Sequence, residues 1–474
     1  MKQALTHFLL EHKDRRPVSF HMPGHKGAEL YREKGYGEFL DNIMDCDITE
    51  IPGADNLFQA EGAILDTMKR YKNLYQSEES YLLVNGSSGG LIAAILTAVP
   101  AGGKLIMARN CHKSIFNALS LGNISPVYAY PETVAEYGIL GEVNVEEVVR
   151  CMDENPDAAA VILPSPNYYG ICSDVKAIAE VVHARGKVLI IDQAHGAHLK
   201  FFDAYGVEGF PQCAEVSGAD MVICSIHKTL ASFTQTALLN LCSHRVDKYD
   251  LEDKLQAIES SSPSYIMMGS LDINADILES CGIELMRKWA ENLNWFYDEA
   301  AGEVPGLRIM RHRMLDATKL NIDMSAYGLN GNELEEYLME KDIFVELVTG
   351  NIVMCMTGIG NRRCDFERLL DALKELAGSR KPVETAPVQP AAVTKSLKLA
   401  GVPARKERIP VDEAAGRVCG YSVIPYPPGI PIVCPGEIFD EEVIEYIKQR
   451  RAAGEKVIGL DDLGRVVVGR NTQI

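Results

Sequence analysis

Short apolar segments alternate with helical segments from residue 71 to residue 300, and this alternation restricts the fold more than any other feature of the sequence. Each apolar segment ends at a polar or glycine-containing turn. Such a pattern predicts an α/β fold, in which helices cover both faces of a mostly parallel sheet. The expected strands are residues 81–84, 104–107, 160–163, 188–191 and 221–224.

Two reactive side chains directly follow predicted strands. Asp192 ends strand 188–191, and Lys228 lies in a Ser-Ile-His-Lys-Thr segment after strand 221–224. Ligands of open α/β sheets bind at the carboxyl edge of the strands, where we expect both residues. Such a lysine is a candidate Schiff-base amine, and the carboxylate suits the protonated ring nitrogen of pyridoxal phosphate. A surface lysine and a helix-capping aspartate are the alternatives.

A glycine- and serine-rich turn follows strand 81–84 and precedes an apolar helical segment. Backbone N–H groups and hydroxyls at a helix N-terminus bind phosphate, so Gly86, Ser87 and Ser88 are candidate phosphate ligands. The turn is not a P-loop, because it lacks the Gly-Lys-Ser/Thr sequence. Alone it is weak evidence, but together with Asp192 and Lys228 it favours a pyridoxal-phosphate site.

Motifs follow one another in a specific order along almost the whole chain. They are Asn-Gly-Ser-Ser at 85–88, Arg-Asn-Cys-His-Lys-Ser at 109–114, Asp-Gln-Ala-His-Gly-Ala-His at 192–198 and Ser-Ile-His-Lys-Thr at 225–229, with further segments at 21–27, 165–170, 262–265, 424–431 and 435–437. In this order they resemble the ornithine/lysine/arginine decarboxylase family, in particular its shorter bacterial members. One departure is Gln193, where the family commonly has glutamate.

The resemblance implies a cofactor, a fold and a set of site residues. The cofactor is pyridoxal 5'-phosphate, bound by a major domain of the aspartate-aminotransferase type with smaller α+β domains beside it. His112 would stack on the cofactor ring, and Ala194 would pack on its opposite face. Ser262 would reach the phosphate of a neighbouring subunit. The full set of predicted cofactor-binding residues is Gly86, Ser87, Ser88, His112, Asp192, Ala194, His195, Ser225, His227, Lys228 and Ser262.

The implied activity is α-decarboxylation of a basic amino acid to agmatine or a diamine, in polyamine metabolism or acid resistance. Arginine is the first choice of substrate, followed by lysine and ornithine. Lys228, His227 and Asp192 are the predicted catalytic residues, with His227 or Lys228 returning a proton to the α-carbon. Glu437, after a proline-rich loop, is predicted to bind the distal cation of the substrate, although an exposed turn carboxylate is the alternative. The family also implies a homodimer or higher oligomer with shared active sites.

Other functions remain open at the level of sequence. An aminotransferase or another lyase of the same fold would grip the α-carboxylate with an arginine, for which Arg362 and Arg363 are the candidates. A regulator that senses pyridoxal phosphate would need a partner-binding module, and the chain has no basic helix-turn-helix signature. A metal hydrolase built on His195 and His198 lacks an obvious third ligand, so no metal site is expected.

Composition restricts the partners and the compartment. The formal net charge is −19, which disfavours nucleic acid as a ligand. Apolar runs are too short to span a membrane. The twelve cysteines include no Cys-x-x-Cys pair and suggest reduced thiols in a cytoplasmic protein.

The chain is long enough for several domains. We expect an N-terminal arm at 1–70, the cofactor-binding domain at 71–300, a small α+β domain at 301–377, a linker at 378–392 and a C-terminal domain at 393–474. The small domain should contain a strand at 319–324, a helix capped by Asn332 and Glu335, and a helix at 365–376. The C-terminal domain should contain a helix at 441–451 and a hairpin near 461–464.

Overall fold

The computed structural model describes residues 4–383, 397–426, 430–452 and 456–470. The N-terminal arm contains helix α1 at Leu5–Arg15, strand β1 at Val18–Phe20, and helices α2 at Glu29–Glu33, α3 at Gly37–Asp41 and α4 at Ala63–Tyr75. The predicted segments 384–392 of the linker and 427–429 of the proline-rich loop lie outside the described residues.

Strands and helices alternate after the arm, as predicted. The strands are β2 at Glu79–Leu83, β3 at Lys104–Ala108, β4 at Ser125–Ala129, β5 at Thr133–Val134, β6 at Ile139–Leu140, β7 at Ala160–Pro164, β8 at Val188–Asp192, β9 at Met221–Cys224 and β10 at Ala237–Leu241. The helices are α5 at Gly86–Ala98, α6 at Lys113–Gly122, α7 at Val145–Glu154, α8 at Val175–Ala184, α9 at Leu199–Ala204, α10 at Ile226–Thr229, α11 at Lys248–Ile258 and α12 at Tyr265–Glu303.

Seven of these strands form one sheet in the order β2-β10-β9-β8-β7-β3-β4. All five predicted strands belong to it, and their carboxyl ends meet at one edge. The strand β10 runs antiparallel to both β2 and β9, while the other pairs are parallel. Every residue of β7 and β9 is buried, which explains why their sequences are continuous apolar runs rather than alternating patterns.

The small domain has a four-stranded antiparallel sheet in the order β11-β12-β15-β14. Its elements are β11 at Arg308–Ile309, β12 at Lys319–Asp323, helix α13 at Gly331–Glu340, β13 at Ile343–Val345, β14 at Leu347–Thr349, β15 at Ile352–Met356 and helix α14 at Arg363–Ser379. Both predicted helices exist, but the predicted cap is wrong. Asn330 and Glu333 form the capping box, because the helix begins at Gly331 and each of the two side chains accepts from the backbone N–H of the other.

The C-terminal part contains β16 at Lys406–Pro410, β17 at Ile424–Tyr426, helix α15 at Glu441–Ala452, β18 at Lys456–Ile458 and β19 at Arg465–Gly469. The predicted hairpin is wrong. Strands β18 and β19 flank the turn at Asp461, but β18 pairs with β17 and β19 pairs with β16. Val466 and Val468 alternate into a separate apolar core, and this burial selects the distant partner strand.

The N-terminal arm packs against the small domain and the cofactor-binding domain. Strand β1 pairs in parallel with β13, and the Gly24 N–H donates to the His227 carbonyl at 2.7 Å. A Cβ atom at Gly24 would lie 2.4 Å from the carbonyl carbon of Thr229, so only glycine permits this approach. The arm therefore covers the segment that contains Lys228. Within the described ranges, no helix is both long and apolar enough to cross a bilayer.

Candidate active site

Lys228 lies in α10, one turn after the end of β9, and its side chain is partly buried. Its Nζ atom is 3.0 Å from Nε2 of His195. Burial lowers the pKa of the Lys228 amine, whereas the charges of Asp192 and Glu346 act in the opposite direction. A lowered pKa increases the fraction of neutral amine, which is the form that attacks a carbonyl.

Asp192 ends β8 at the same edge and is 6% exposed. Among the described residues, its side chain accepts one hydrogen bond, from the Ala194 N–H at 3.2 Å. Burial raises the pKa of Asp192, and Lys228 partly opposes this effect. A buried carboxylate with so few donors would be stabilised by a cation, so it fits the protonated ring nitrogen of pyridoxal phosphate.

The start of α5 lies beside the segment before Lys228. Gly86 begins this helix with a φ of +74°, a conformation that favours glycine. The Ser225 hydroxyl donates to the Ser87 hydroxyl at 2.9 Å, which joins the two polar turns. Free N–H groups at a helix N-terminus and adjacent hydroxyls are the donors that a phosphate group needs.

His112 caps the start of α6 with its own ring. Its Nδ1 atom accepts from the Ser114 N–H at 3.3 Å and lies 2.8 Å from the Ser114 hydroxyl. Burial lowers the pKa of His112 to about 3, with Lys228 and Lys113 adding to the effect. The ring is therefore neutral and held in one orientation, as stacking on a cofactor ring requires.

One cavity joins these side chains. Its wall is formed by Ser87, Leu91, His112, Pro164, Pro166, Asn167, Tyr168, Asp192, Ala194, His195 and Lys228. Within the described chain, Nδ1 of His195 is buried without a hydrogen-bond partner. A cavity with a carboxylate, an amine, a hydroxyl and a neutral imidazole in its wall fits pyridoxal phosphate.

Known proteins resemble this chain along most of its length. The major domain of Orn/Lys/Arg decarboxylases matches residues 3–319, and the C-terminal domain of these enzymes matches residues 381–463. The chain belongs to the Orn/Lys/Arg decarboxylase family. It therefore is a pyridoxal-phosphate-dependent decarboxylase of basic amino acids, and the predicted enzyme class and cofactor are confirmed.

Individual relatives show how far the likeness to this decarboxylase extends. An arginine decarboxylase of Bacillus subtilis is 31% identical over 471 residues, covering 96% of this chain and 94% of the relative. An arginine decarboxylase of Halalkalibacterium halodurans is also 31% identical, over 472 residues and the same shares. The E. coli constitutive lysine decarboxylase structure has a TM-score of 0.75 at 19% identity, covering 98% of this chain and 81% of that chain. The predicted fold of the aminotransferase type is confirmed.

Several predicted site residues of this decarboxylase lie beside the cavity rather than in its wall. Gly86 and Ser88 share the start of α5 with Ser87, and Ser225 is bonded to Ser87. His227 directs Nδ1 to the Thr236 carbonyl at 2.7 Å, so Nδ1 carries the proton. Burial lowers the pKa of His227 to about 4, so the ring is neutral at pH 7 and is a weak proton donor.

Ser262 and Glu437 are not brought to the cavity within this chain. Ser262 is exposed just before α12. Glu437 is completely buried, so the alternative of an exposed turn carboxylate is wrong. Its Oε2 atom accepts from the Cys434 N–H at 2.7 Å and from Arg109 at 3.3 Å. This carboxylate joins the C-terminal domain to the end of β3, and its geometry offers no support for substrate binding.

Glu346 is a candidate residue that sequence reasoning missed. It is partly buried between β13 and β14, and its charge acts on the pKa of Lys228. Its Oε2 atom accepts from the Met22 N–H at 2.9 Å. The one signal in the sequence is a carboxylate between two short apolar strands. The described residues contain no group of three or more histidine, cysteine, aspartate or glutamate side chains that could hold a metal ion.

Proposed function

We propose that this decarboxylase converts arginine to agmatine and carbon dioxide, with Lys228 as the covalent attachment of the cofactor. The observation that carries the proposal is that the Lys228 amine, the poorly compensated Asp192 and the hydroxyl of Ser87 meet at one cavity. Bound pyridoxal phosphate supplies an acceptor for the electrons of the carboxylate bond as it breaks.

In this proposal the remaining side chains have the following roles. Gly86, Ser87 and Ser88 bind the phosphate, with Ser225 orienting Ser87. Asp192 would hold a proton at the ring nitrogen of the bound cofactor. His112 and Ala194 would pack on the ring, and His195 contacts Lys228. Lys228 rather than His227 returns the proton to the α-carbon, because the neutral His227 ring uses its proton in a bond to Thr236.

The small-domain arginines support decarboxylation over transamination. Arg362 forms ion pairs with Glu29 at 2.5 Å and with Glu33 at 2.6 Å. The Arg363 guanidinium lies over the Trp295 ring, with its carbon 4.3 Å from the ring centroid. Both arginines are therefore engaged and do not form a clamp for the α-carboxylate. A carboxylate that is weakly held and poorly solvated is released more readily as carbon dioxide.

Glu346 is our candidate for the partner of the distal cation, in place of Glu437. It comes from the small domain and is close enough for its charge to act on Lys228. Arginine is preferred because both relatives at 31% identity are arginine decarboxylases, whereas the lysine decarboxylase structure is 19% identical. A guanidinium also suits a fixed carboxylate, since it can donate two parallel hydrogen bonds.

The test is to incubate the purified protein with pyridoxal phosphate and arginine, lysine or ornithine separately, and to identify the amine released by mass spectrometry. We expect agmatine to form fastest. Preferential release of cadaverine or putrescine would overturn the arginine assignment, and a keto acid product would overturn decarboxylation itself.

A variant pair tests the role of Glu346. Glu346→Gln should raise KM for arginine about tenfold, the effect of a lost charge-assisted hydrogen bond. Glu336→Gln changes an exposed carboxylate of α13 in the same domain and should leave KM unchanged. Equal KM values in both variants would exclude Glu346 from substrate binding.

We also propose a homodimer in which Ser262 serves the cofactor of the neighbouring subunit. The exposure of Ser262 in the single chain supports this, because the hydroxyl is accessible to a second copy. Light scattering should give at least twice the mass of one chain. Ser262→Ala should weaken cofactor binding about fivefold, the value of one hydrogen bond. A monomer with full activity would contradict both statements.

A further inference from the structure

Three ionisable side chains lie completely buried behind Lys228, on the side of the small domain. His198 follows β8, Asp316 precedes β12 and Lys319 begins it, and all three residues are 0% exposed. Buried charges are strongly destabilised unless they are paired and hydrogen-bonded. Their presence here therefore requires either complete pairing or a function.

The pairing is complete. Lys319 Nζ donates to the His195 carbonyl at 2.5 Å, to Asp316 Oδ2 at 2.6 Å and to the Thr318 hydroxyl at 3.1 Å. An ammonium group has three protons, and each has an acceptor. Asp316 Oδ1 accepts from the Thr318 hydroxyl at 2.7 Å and from the Thr318 N–H at 3.1 Å.

His198 extends this cluster towards α10. Its Nε2 atom lies 3.2 Å from Asp316 Oδ1, and its Nδ1 atom lies 3.1 Å from the Thr229 hydroxyl. Burial lowers the pKa of His198, so the ring is neutral. Since a carboxylate only accepts, Nε2 carries the proton, and the Thr229 hydroxyl donates to Nδ1.

Two routes of direct contact therefore lead from the ion pair to Lys228. The first runs from Asp316 through His198 to Thr229, the residue after Lys228. The second runs from Lys319 to the carbonyl of His195, whose ring contacts the Lys228 amine. The Ile359 N–H also donates to the Thr229 carbonyl at 2.9 Å, so the small domain holds α10 from a third point.

We propose that Asp316 and Lys319 are positioning residues for Lys228, which hold its amine at the cavity through His198 and His195. The inference rests on the proposed role of Lys228 as the cofactor attachment. Asp316 and Lys319 touch neither cofactor nor substrate. They act by fixing the two neighbours of Lys228 and by placing a balanced pair of charges behind it.

The opposite charges of Asp316 and Lys319 predict an effect on the titration of Lys228 that packing alone would not produce. Charged or titratable groups around Lys228 are His112, Asp192, His195, His227, Lys319 and Glu346. Removing the cation of Lys319 leaves Asp316 as an uncompensated anion and favours a protonated nitrogen at Lys228. Removing the anion of Asp316 has the opposite effect. The two changes should therefore shift the titration of Lys228 in opposite directions.

The experiment uses the protein loaded with pyridoxal phosphate and measures the pH at which its visible absorption band titrates. Lys319→Met should raise this pH by about one unit, the size of one buried charge at moderate distance. Asp316→Asn should lower it, and the double variant should return towards the parent value. Asp220→Asn removes a buried carboxylate at the far edge of the sheet and should not shift the band.

Shifts of the same sign in the two single variants, or a Lys319→Met value equal to that of Asp220→Asn, would overturn the proposal. If these variants fold poorly, Thr229→Val breaks one route without burying a lone charge. It should lower kcat about fivefold with KM unchanged, and Thr229→Ser should restore it. A Thr229→Val enzyme with parental kcat would also overturn the proposal. A parent protein without a band that borohydride fixes on Lys228 would instead refute the proposed function.

Discussion

Two buried aspartates at opposite edges of the large sheet have very different surroundings. Asp220 precedes β9 at the amino edge and is 0% exposed. It accepts from the Leu189 N–H at 2.8 Å, from the Ser243 hydroxyl at 2.5 Å and lies 3.0 Å from His183 Nε2. Asp192 ends β8 at the carboxyl edge, is 6% exposed and accepts one hydrogen bond among the described residues.

The difference separates a carboxylate whose hydrogen bonds are satisfied by the protein from one that is buried with a single hydrogen bond among the described residues. The Asp220 carboxylate is hydrogen-bonded by protein donors, so it can stabilise the fold but does not need a ligand as a partner. Asp192 is buried at a net cost, because one N–H at 3.2 Å does not replace its lost hydration. A ligand cation can supply the missing partner. The unsatisfied burial of Asp192 therefore favours the carboxyl edge over the amino edge as the place where a ligand binds.

The largest expected effect tests the carboxyl edge as a whole. Lys228→Ala removes the amine that we propose as the covalent attachment of the cofactor, and turnover should fall by at least about a thousandfold. Borohydride treatment followed by peptide mapping should label the parent at Lys228 and leave the variant unlabelled. A label on another lysine would place the chemistry elsewhere.

Asp192→Asn keeps the shape of the side chain and removes its charge. Turnover should fall on the order of a thousandfold, because the ring nitrogen loses its proton partner. Stability without cofactor should not fall. Burial raises the pKa of Asp192, so the ionised carboxylate destabilises the fold above the unfolded-state pKa, and asparagine lacks this penalty. A turnover within threefold of the parent would remove Asp192 from the mechanism.

Glu437→Gln tests a buried ion pair outside the cavity. Breaking the contact with Arg109 should lower the free energy of unfolding by about 3–5 kcal/mol, measured by urea denaturation. KM for arginine should stay unchanged, in contrast to Glu346→Gln. A rise in KM at parental stability would restore the predicted role of Glu437 in substrate binding.

Asp220→Asn is the counterpart of the Asp192 variant at the other edge. The free energy of unfolding should fall by about 1–3 kcal/mol, because an amide nitrogen replaces an acceptor of several donors. The kcat of the folded fraction should equal that of the parent. Lower kcat with unchanged stability would break the distinction between the two edges.

The smallest expected effect concerns a third buried carboxylate, Glu259, near the start of α5. Burial raises the pKa of Glu259 to about 7, although the nearby backbone N–H groups of Val84 and Asn85 act in the opposite direction. Glu259 ionises at a lower pH in the unfolded chain than in the folded protein. The free energy of unfolding therefore falls as the pH rises towards 7 and is constant above pH 7. Between pH 5 and pH 6 the parent should lose about 1 kcal/mol relative to Glu259→Gln. If the free energy of unfolding of the parent and of Glu259→Gln changed equally with pH, the Glu259 carboxylate would be solvated.

Local pattern determined the strands and the neighbourhood of the site. Apolar runs that end in polar turns predicted β2, β3, β7, β8 and β9. In a parallel sheet their carboxyl ends meet at one edge, so Ser87, His112, Asp192 and Lys228 were expected together, and they line one cavity. Strand β10 was not among the five predicted strands, and only the structure showed its antiparallel direction.

Only the tertiary structure decided which charges face one another. The partner of Glu437 is Arg109, and Lys319 in β12 meets the carbonyl of His195 after β8. The partner strand of β19 was likewise chosen by distant contacts. A carboxylate or an ammonium has the same local sequence signal whether it is solvated, paired or catalytic. Its role depends on which groups replace its water, and those groups come from parts of the chain that folding alone brings together.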